Sequence, residues 1–218
     1  MPSRVRSESR PYSALLVGAA LTCIVGEYLR LPAVVYVAKP LATLATIAIA
    51  GLAAHPVSPR YRALITAGLV ASLAGDVFLM IPGDRFVAGL VSFLVAHLLY
   101  VAAFASEGGG LRNAAAALPI GAFAIGMLAY LWPDLGAMRL PVAAYVAVIG
   151  AIGWQAFARW GRSPGSELAA FGAISFLLSD SALAVGRFKG PFDGDRALVL
   201  GTYWIAQWCI ARSVRGKR

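Results

Sequence analysis

The feature that most limits what this chain can fold into is a series of long apolar runs that do not alternate with polar positions. These runs raise the mean hydropathy to +0.75, and charged residues make up 13% of the chain, whereas a soluble domain carries about 25%. Only α-helices and closed β-barrels satisfy their backbone hydrogen bonds inside lipid, and barrel strands would alternate apolar and polar residues. The sequence therefore predicts an all-α, polytopic transmembrane bundle.

The breaks between the apolar runs predict about eight helices. Prolines and glycines lie at these breaks, as in Leu31-Pro32 and Pro82-Gly83-Asp84. The predicted helices cover approximately residues 12–29, 31–54, 61–81, 86–105, 112–131, 138–158, 167–187 and 195–212. Eight helices of roughly 20 residues use about 160 residues. We therefore expect a single transmembrane domain over residues 1–218, with short loops and no separate soluble domain.

The net charge of +9 does not indicate nucleic-acid binding, because the basic residues form no single patch. They are dispersed over loops and tails, as expected if cytoplasmic loops are rich in Lys and Arg. The side of the predicted bundle that holds both termini carries twelve basic and three acidic residues. The opposite side, with the membrane-embedded groups counted in, carries seven basic and seven acidic residues. We therefore expect cytoplasmic termini, residues 1–11 as a basic tail, and a multi-pass protein of the bacterial inner membrane. Anionic headgroups of membrane lipids are the expected counterpart of the basic loops.

The two halves of the chain resemble each other. Three segments recur with offsets of 109, 104 and 111 residues: Arg30-Leu31-Pro32 as Arg139-Leu140-Pro141, Gly75-Asp76 as Ser179-Asp180, and Gly83-Asp84-Arg85 as Gly194-Asp195-Arg196. The near-constant shift favours a tandem repeat of four helices each, over residues 12–110 and 111–212. Because four is an even number, the two repeats would be parallel. Chance matching in a chain rich in Ala, Val and Leu is the alternative.

Four ionisable side chains, Lys39, Asp76, His97 and Asp180, interrupt the apolar runs. A residue of this kind inside a membrane helix costs several kcal/mol unless it has a partner, so it indicates function by default. From the helical rise per residue, Lys39, Asp76 and Asp180 lie about 10 Å from the non-cytoplasmic surface, and His97 about 16 Å. Because these four residues lie on four different helices at similar depths, the sequence predicts that they form one cluster in the outer half of the bilayer.

Polar neighbours extend this predicted cluster. The further candidate site residues lie on the same helices or at a similar depth: Tyr36, Tyr100, Ser179, Tyr203 and Gln207. Structural roles stay open for all of these positions. A lysine can snorkel to the surface, an aspartate can serve as its partner, and tyrosine, histidine or glutamine can join neighbouring helices by hydrogen bonds.

Two buried carboxyl groups suit general acid–base catalysis, because burial and mutual repulsion keep one protonated while the other is ionised. Lys39 could hold the ionised carboxylate or bind an anionic headgroup. Neither a metal nor another cofactor is expected, since only His97 of the two histidines lies in the membrane and catalytic zinc usually takes two or three. No Ser-x-x-Lys or Gly-x-Ser-x-Gly motif supports a serine nucleophile.

Five short elements, in order along nearly the whole chain, carry a family resemblance. They are Lys39-Pro40-Leu41, Gly75 to Leu79, Phe93 through His97 to Tyr100, Leu178-Ser179-Asp180-Ser181, and Tyr203 to Gln207. With these elements the chain resembles the YhhN family of membrane proteins, which includes the lysoplasmalogenases. Gly75-Asp76 and Ser179-Asp180 look like the defining pair of that family. Each element is short, so the specificity of the match comes from the set.

The resemblance implies hydrolysis of the vinyl ether bond of a lysoplasmalogen, a lysophospholipid with one chain. The products would be a fatty aldehyde and glycerophospho-ethanolamine or -choline. Asp76 and Asp180 would be the catalytic acid and base, in an undecided order, and the other polar side chains would position water or the headgroup. The alternative is a proton-coupled transporter or lipid flippase that uses the same charges. Product formation by detergent-solubilised protein would separate the two, because it needs no gradient.

Overall fold

The computed structural model of the protein describes residues 10–108, 115 and 117–216. Most of the predicted tail 1–11 and the start of the fifth predicted helix lie outside these residues. Eight α-helices are described: α1 Arg10–Tyr28, α2 Pro32–Gly51, α3 Pro59–Met80, α4 Phe86–Ser106, α5 Ala117–Leu131, α6 Arg139–Ala158, α7 Ser166–Phe188 and α8 Asp195–Ser213. Two 3₁₀ turns, Trp132–Asp134 and Gly136–Met138, connect α5 to α6. The prediction of an all-α bundle of eight helices is confirmed.

Local sequence signals explain where several helices begin. The Ser58 side chain caps α3 by accepting the Tyr61 amide at 3.1 Å, and Pro59 occupies a position whose missing N–H costs nothing there. Gly165 and Gly194 precede α7 and α8 with φ of +72° and +81°, a left-handed conformation that favours glycine. These turns set the short loops that make neighbouring helices antiparallel.

Within the described residues, seven helical segments are long and apolar enough to cross a membrane: α1 to α4, α7, α5 with the turn after it (Ala117–Asp134), and α6 with the turn before it (Gly136–Ala158). The eighth, α8, has 19 residues but carries more polar side chains. Two of them, Tyr203 and Gln207, are buried inside the bundle, so they are shielded from lipid by other helices. The protein is therefore a multi-pass integral membrane protein in which α8 is the most polar of the helices.

Six helices form a closed ring in which each packs against the next: α2, α3, α4, α6, α7, α8 and back to α2. Helix α1 packs against α2 and α8, and α5 packs mainly against α6. Each predicted half thus contributes three consecutive helices to the ring, and the halves meet at α4–α6 and α8–α2. The tandem repeat itself stays a prediction.

The contact between α3 and α4 depends on small residues. A Cβ placed on Gly75 would lie 2.7 Å from Phe93 Cε2, and one on Gly68 would lie 2.3 Å from Tyr100 Cε1. Small residues allow membrane helices to approach closely, which is where much of their packing energy comes from. This close packing buries Asp76, the residue after Gly75, to 1% exposure.

We expect Gly75→Ala to lower the thermal unfolding temperature of the purified protein, because the added methyl group must displace the Phe93 ring. Overpacking of this kind costs about 1–3 kcal/mol. Gly121→Ala in α5 is the matched control, since no atom lies within 4 Å of its added Cβ. Both temperatures can be measured by intrinsic fluorescence in detergent. Equal unfolding temperatures for the two variants would contradict the role of this contact.

Candidate active site

All six ring helices place polar side chains in the interior of the ring. These are Lys39 and Thr43 of α2, Asp76 of α3, His97 and Tyr100 of α4, Tyr145 of α6, Ser179 and Asp180 of α7, and Tyr203 and Gln207 of α8. They are buried, apart from Asp180, whose side chain is 14% exposed. The structure therefore brings together eight of the nine site residues predicted from the sequence.

Asp76 accepts hydrogen bonds from two hydroxyl groups and faces a lysine. Thr43 Oγ1 donates to Asp76 Oδ2 at 2.6 Å, and Tyr203 OH donates to the same oxygen at 2.7 Å. Lys39 Nζ lies 3.5 Å from Asp76 Oδ1. A positive charge and two donors aimed at one buried carboxyl group stabilise its ionised form.

A chain of hydrogen bonds continues from Asp76 across the ring. Tyr100 OH donates to Gln207 Oε1 at 3.1 Å, and Gln207 Nε2 donates to Tyr203 OH at 2.9 Å. Tyr203 then donates to Asp76. All three donors point towards the carboxylate, and bonds aligned in this way polarise one another. The chain fixes the Tyr203 hydroxyl in the orientation that Asp76 requires.

Asp180 has different partners, a tyrosine and a histidine. Tyr145 OH donates to Asp180 Oδ2 at 2.6 Å, and His97 Nε2 lies 3.8 Å from that oxygen. The His97 ring packs edge-on against Phe176 and Tyr145, with ring centroids 5.1 and 5.3 Å apart, and neither of its nitrogens has a hydrogen-bond partner among the described residues. Across those residues, no group of three or more His, Cys, Asp or Glu side chains is placed to hold a metal ion.

The structure does not bring Tyr36 into the cluster. Tyr36 lies on α2 three residues before Lys39, but its side chain is directed outward and is 41% exposed. Tyr145 lies 109 residues after Tyr36, the same offset that relates Arg30-Leu31-Pro32 to Arg139-Leu140-Pro141. It is the tyrosine that donates to Asp180, and the sequence prediction missed it. The repeat was the signal that could have found it. Ser179 does join the site, where its hydroxyl donates to the Val199 carbonyl at 2.9 Å and links α7 to α8.

Two cavities meet at Asp180. One cavity, called the polar cavity for its charged side chains, has a rim at the ends of α1, α7 and α8 that carries Glu27, Arg187, Asp195 and Arg196. Lys39, Asp76 and Tyr203 line it below this rim. An apolar cavity lies among α4, α5, α6 and α7 and is lined by side chains such as Phe123, Met127, Val146, Ile149 and Leu177. Five residues line both cavities: Leu79, Phe86, Phe93, Asp180 and Leu183. Of these five, Asp180 alone is ionisable.

Two ion pairs hold the rim of the polar cavity. Arg187 Nη2 lies 2.6 Å from Asp84 Oδ2, and Arg196 Nη1 lies 3.1 Å from Glu27 Oε2. The hydrogen bond from Arg187 holds the pKa of Asp84 below its usual range. The pairs connect α7 to the α3–α4 loop and α8 to α1, so they fix the outer helix ends around the opening.

Comparison with known proteins identifies the family of this chain. The profile described as the YhhN family matches residues 34–214, a range that contains every side chain of the cluster. The chain belongs to the YhhN family. A human protein named lysoplasmalogenase TMEM86A is 38% identical over 174 residues, which cover 74% of this chain and 68% of that protein.

More distant relatives include bacterial proteins. A protein of Mycobacterium tuberculosis named lysoplasmalogenase is 34% identical over 171 residues, covering 75% of this chain and 63% of its own. The uncharacterized membrane protein YhhN of Escherichia coli O157:H7 is 29% identical over 183 residues, covering 82% of this chain and 86% of its own. No solved structure matches the protein.

We expect Asp76→Asn to lower the stability of this YhhN protein, because it leaves the Lys39 ammonium without a carboxylate partner. Breaking one partner of a buried ion pair costs about 3–5 kcal/mol. The double variant Lys39→Met/Asp76→Asn removes both charges and should recover part of the loss. Thermal unfolding of both variants measures the difference. A double variant no more stable than Asp76→Asn would contradict the ion pair as the cause.

Proposed function

We propose that this protein is a membrane-embedded hydrolase of the bacterial inner membrane that cleaves the vinyl ether bond of lysoplasmalogens. The products are a fatty aldehyde and glycerophospho-ethanolamine or -choline. Relatives from Homo sapiens and Mycobacterium tuberculosis bear the name lysoplasmalogenase, which supports the substrate class. The observation that carries the proposal is the position of Asp180, at the junction of the polar and apolar cavities.

A lipid with one chain matches the two cavities. Its headgroup and glycerol would occupy the polar cavity, and its hydrocarbon chain would occupy the apolar cavity between α5, α6 and α7. The bond that joins the polar and apolar parts of a lysoplasmalogen is the vinyl ether itself. In this pose the reactive bond lies beside the Asp180 carboxyl group, which is accessible from both cavities.

Asp180 is the proposed proton donor. Its contacts are a tyrosine hydroxyl and a histidine ring buried among aromatic side chains. No Lys or Arg side chain of the described residues forms an ion pair with it, and burial without a cation favours the protonated form of an aspartic acid. The proton passes from Asp180 to the vinyl carbon farther from the oxygen, and the electron pair of the C=C bond forms the new C–H bond. The result is an oxocarbenium ion, whose charge the ionised Asp180 then faces, as in glycosidases.

Asp76 is the proposed base. Lys39, Thr43 and Tyr203 keep it ionised and oriented, so that it stabilises the cation and takes a proton from the attacking water. The hemiacetal then breaks its bond to the glycerol oxygen, which takes the proton that Asp76 received from water. The hemiacetal hydroxyl gives its proton to Asp180 as the aldehyde C=O forms, so both carboxyl groups return to their starting states and the aldehyde leaves. The net reaction consumes one water per vinyl ether. Gln207 and Tyr100 position Tyr203, and His97 packs against the ring of Tyr145 beside Asp180.

A proton-coupled transporter is the less favoured function, because the named relatives bear an enzyme name. The buried charges alone suit both functions. Aldehyde release by detergent-solubilised protein, where no gradient exists, distinguishes hydrolysis from transport.

We expect the purified protein to release aldehyde from lysoplasmenyl-ethanolamine. In D₂O the aldehyde should carry one deuterium on the carbon next to the carbonyl group, because that carbon receives the proton in the first step. Asp76→Asn and Asp180→Asn should each lower the rate at least about 100-fold, the usual contribution of general acid–base catalysis. Mass spectrometry of the products measures both the rate and the deuterium content.

Asp193→Asn is the control for this experiment, since Asp193 lies on an exposed loop near the same end of the bundle. Its activity should equal that of the unmodified protein. Full activity in both Asp76→Asn and Asp180→Asn would rule out the proposed catalytic pair. Substrate-dependent current in proteoliposomes without any aldehyde would favour the transporter instead.

A further inference from the structure

The rim of the polar cavity carries four charges that the proposed hydrolysis does not use: Glu27, Arg187, Asp195 and Arg196. Arg187 lies seven residues after Asp180 on α7, and Arg196 lies seven residues before Tyr203 on α8. Seven residues are close to two helical turns, so each arginine shares a helix face with the site residue about 10 Å below it. The two helices thus present one guanidinium group above Asp180 and one above Tyr203, the hydrogen-bond donor of Asp76.

We infer that Arg187 and Arg196 bind the phosphate of the substrate's headgroup, and that Asp195 and Glu27 bind its amine. This inference rests on the proposed function, because it assigns the outer end of the same cavity. A glycerophospho-ethanolamine headgroup carries one negative and one positive charge in series, and the rim carries both complementary charges.

Both arginines can bind a phosphate in addition to their present partners. Their side chains are 44% and 54% exposed, and exposed ion pairs contribute little to stability, so exchange of partners is inexpensive. A guanidinium group has five N–H donors in a planar fork that suits phosphate oxygens. The Arg187 guanidinium lies 4.8 Å from the centroid of the Phe86 ring, and Phe86 lines the cavity, so this contact holds Arg187 at the opening.

Asp195 is the rim acid best placed to bind an amine. Its Oδ1 accepts the backbone amide of Arg196 at 2.6 Å, which fixes the carboxylate at the start of α8. Within the described residues it forms no ion pair with a Lys or Arg side chain, whereas Glu27 is paired with Arg196. An ammonium group near Asp195 would therefore gain a carboxylate partner without breaking an existing ion pair.

The test measures binding of saturated 1-O-alkyl lipids, which have no vinyl bond and cannot be hydrolysed by carbon protonation. Three ligands with one chain length are compared: alkyl-glycerophosphoethanolamine, alkyl-glycerophosphate and alkylglycerol. We expect Arg187→Gln and Arg196→Gln each to weaken binding of the two phosphate lipids at least about ten-fold, as for loss of a charge-assisted hydrogen bond. Binding of alkylglycerol should not change. Asp195→Asn should weaken binding of the ethanolamine lipid alone.

Arg139→Gln is the matched control, because Arg139 is an exposed arginine at the same end of the bundle that packs on Trp132 and does not line the cavity. It should leave all three dissociation constants unchanged. Arg187→Lys and Arg196→Lys preserve the charge, so they should retain more phosphate affinity than the glutamine variants. Unfolding temperatures identify any variant that has lost its fold, and for such a position the lysine variant provides the comparison.

Equal loss of affinity for all three ligands, or no loss for the phosphate lipids, would overturn the headgroup assignment. This result does not depend on catalysis, because the ligands are not hydrolysed. If the rim variants behave as expected and no aldehyde forms from any lysoplasmalogen, the headgroup assignment stands and the proposed reaction fails. If aldehyde forms but the rim variants bind all ligands normally, the reaction stands and the headgroup assignment fails.

Discussion

The structure depends above all on the pairing of Asp76 with Lys39, Thr43 and Tyr203. A charged group inside a bilayer costs several kcal/mol unless other groups solvate it, and these three side chains supply that solvation from α2 and α8. The carboxylate on α3 thereby holds three ring helices at one point. Through Tyr203 and Gln207 the same network reaches Tyr100 on α4. The ring can close around polar groups because Asp76, Asp180, Gln207 and the tyrosines bond to side chains on other helices.

The two aspartates differ because the helices beside them differ. Helix α2 offers Asp76 a lysine and a threonine, whereas α6 offers Asp180 a tyrosine. The last helix of each half reaches across to the aspartate of the other half, since Tyr203 bonds Asp76 and His97 faces Asp180. Tyr203 lies 106 residues after His97, within the range of the offsets that predict the repeat. Two parallel repeats that face each other would produce this crossing, and neither half could complete its site alone.

The two aspartates also differ in their access to the two cavities. Asp76 is buried to 1% exposure under its donors, while Asp180 remains accessible where the polar and apolar cavities join. An amphiphile that occupies both cavities must place its polar–apolar junction at Asp180. In the proposed reaction, the bond that is cleaved is selected by its position along the lipid, and the charged side chains at the helix ends recognise the headgroup.

The sequence by itself determined the helices, and it predicted a common depth for the buried charges. Apolar runs and Pro/Gly breaks predicted eight helices with ends within a few residues of those observed, as for α8, although α2 ends at Gly51 and not near residue 54. The depth of each ionisable residue was estimated from its distance in sequence to the helix end, because every helical residue adds the same rise. Lys39, Asp76, His97 and Asp180 were therefore expected to lie together.

Only the tertiary structure decided which side chains meet. The rotation of each helix about its axis depends on packing against several neighbours, and it directs Tyr36 outward while it directs Tyr145 onto Asp180. The junction of the two cavities likewise exists only in the assembled ring, because side chains from at least three helices line each of them.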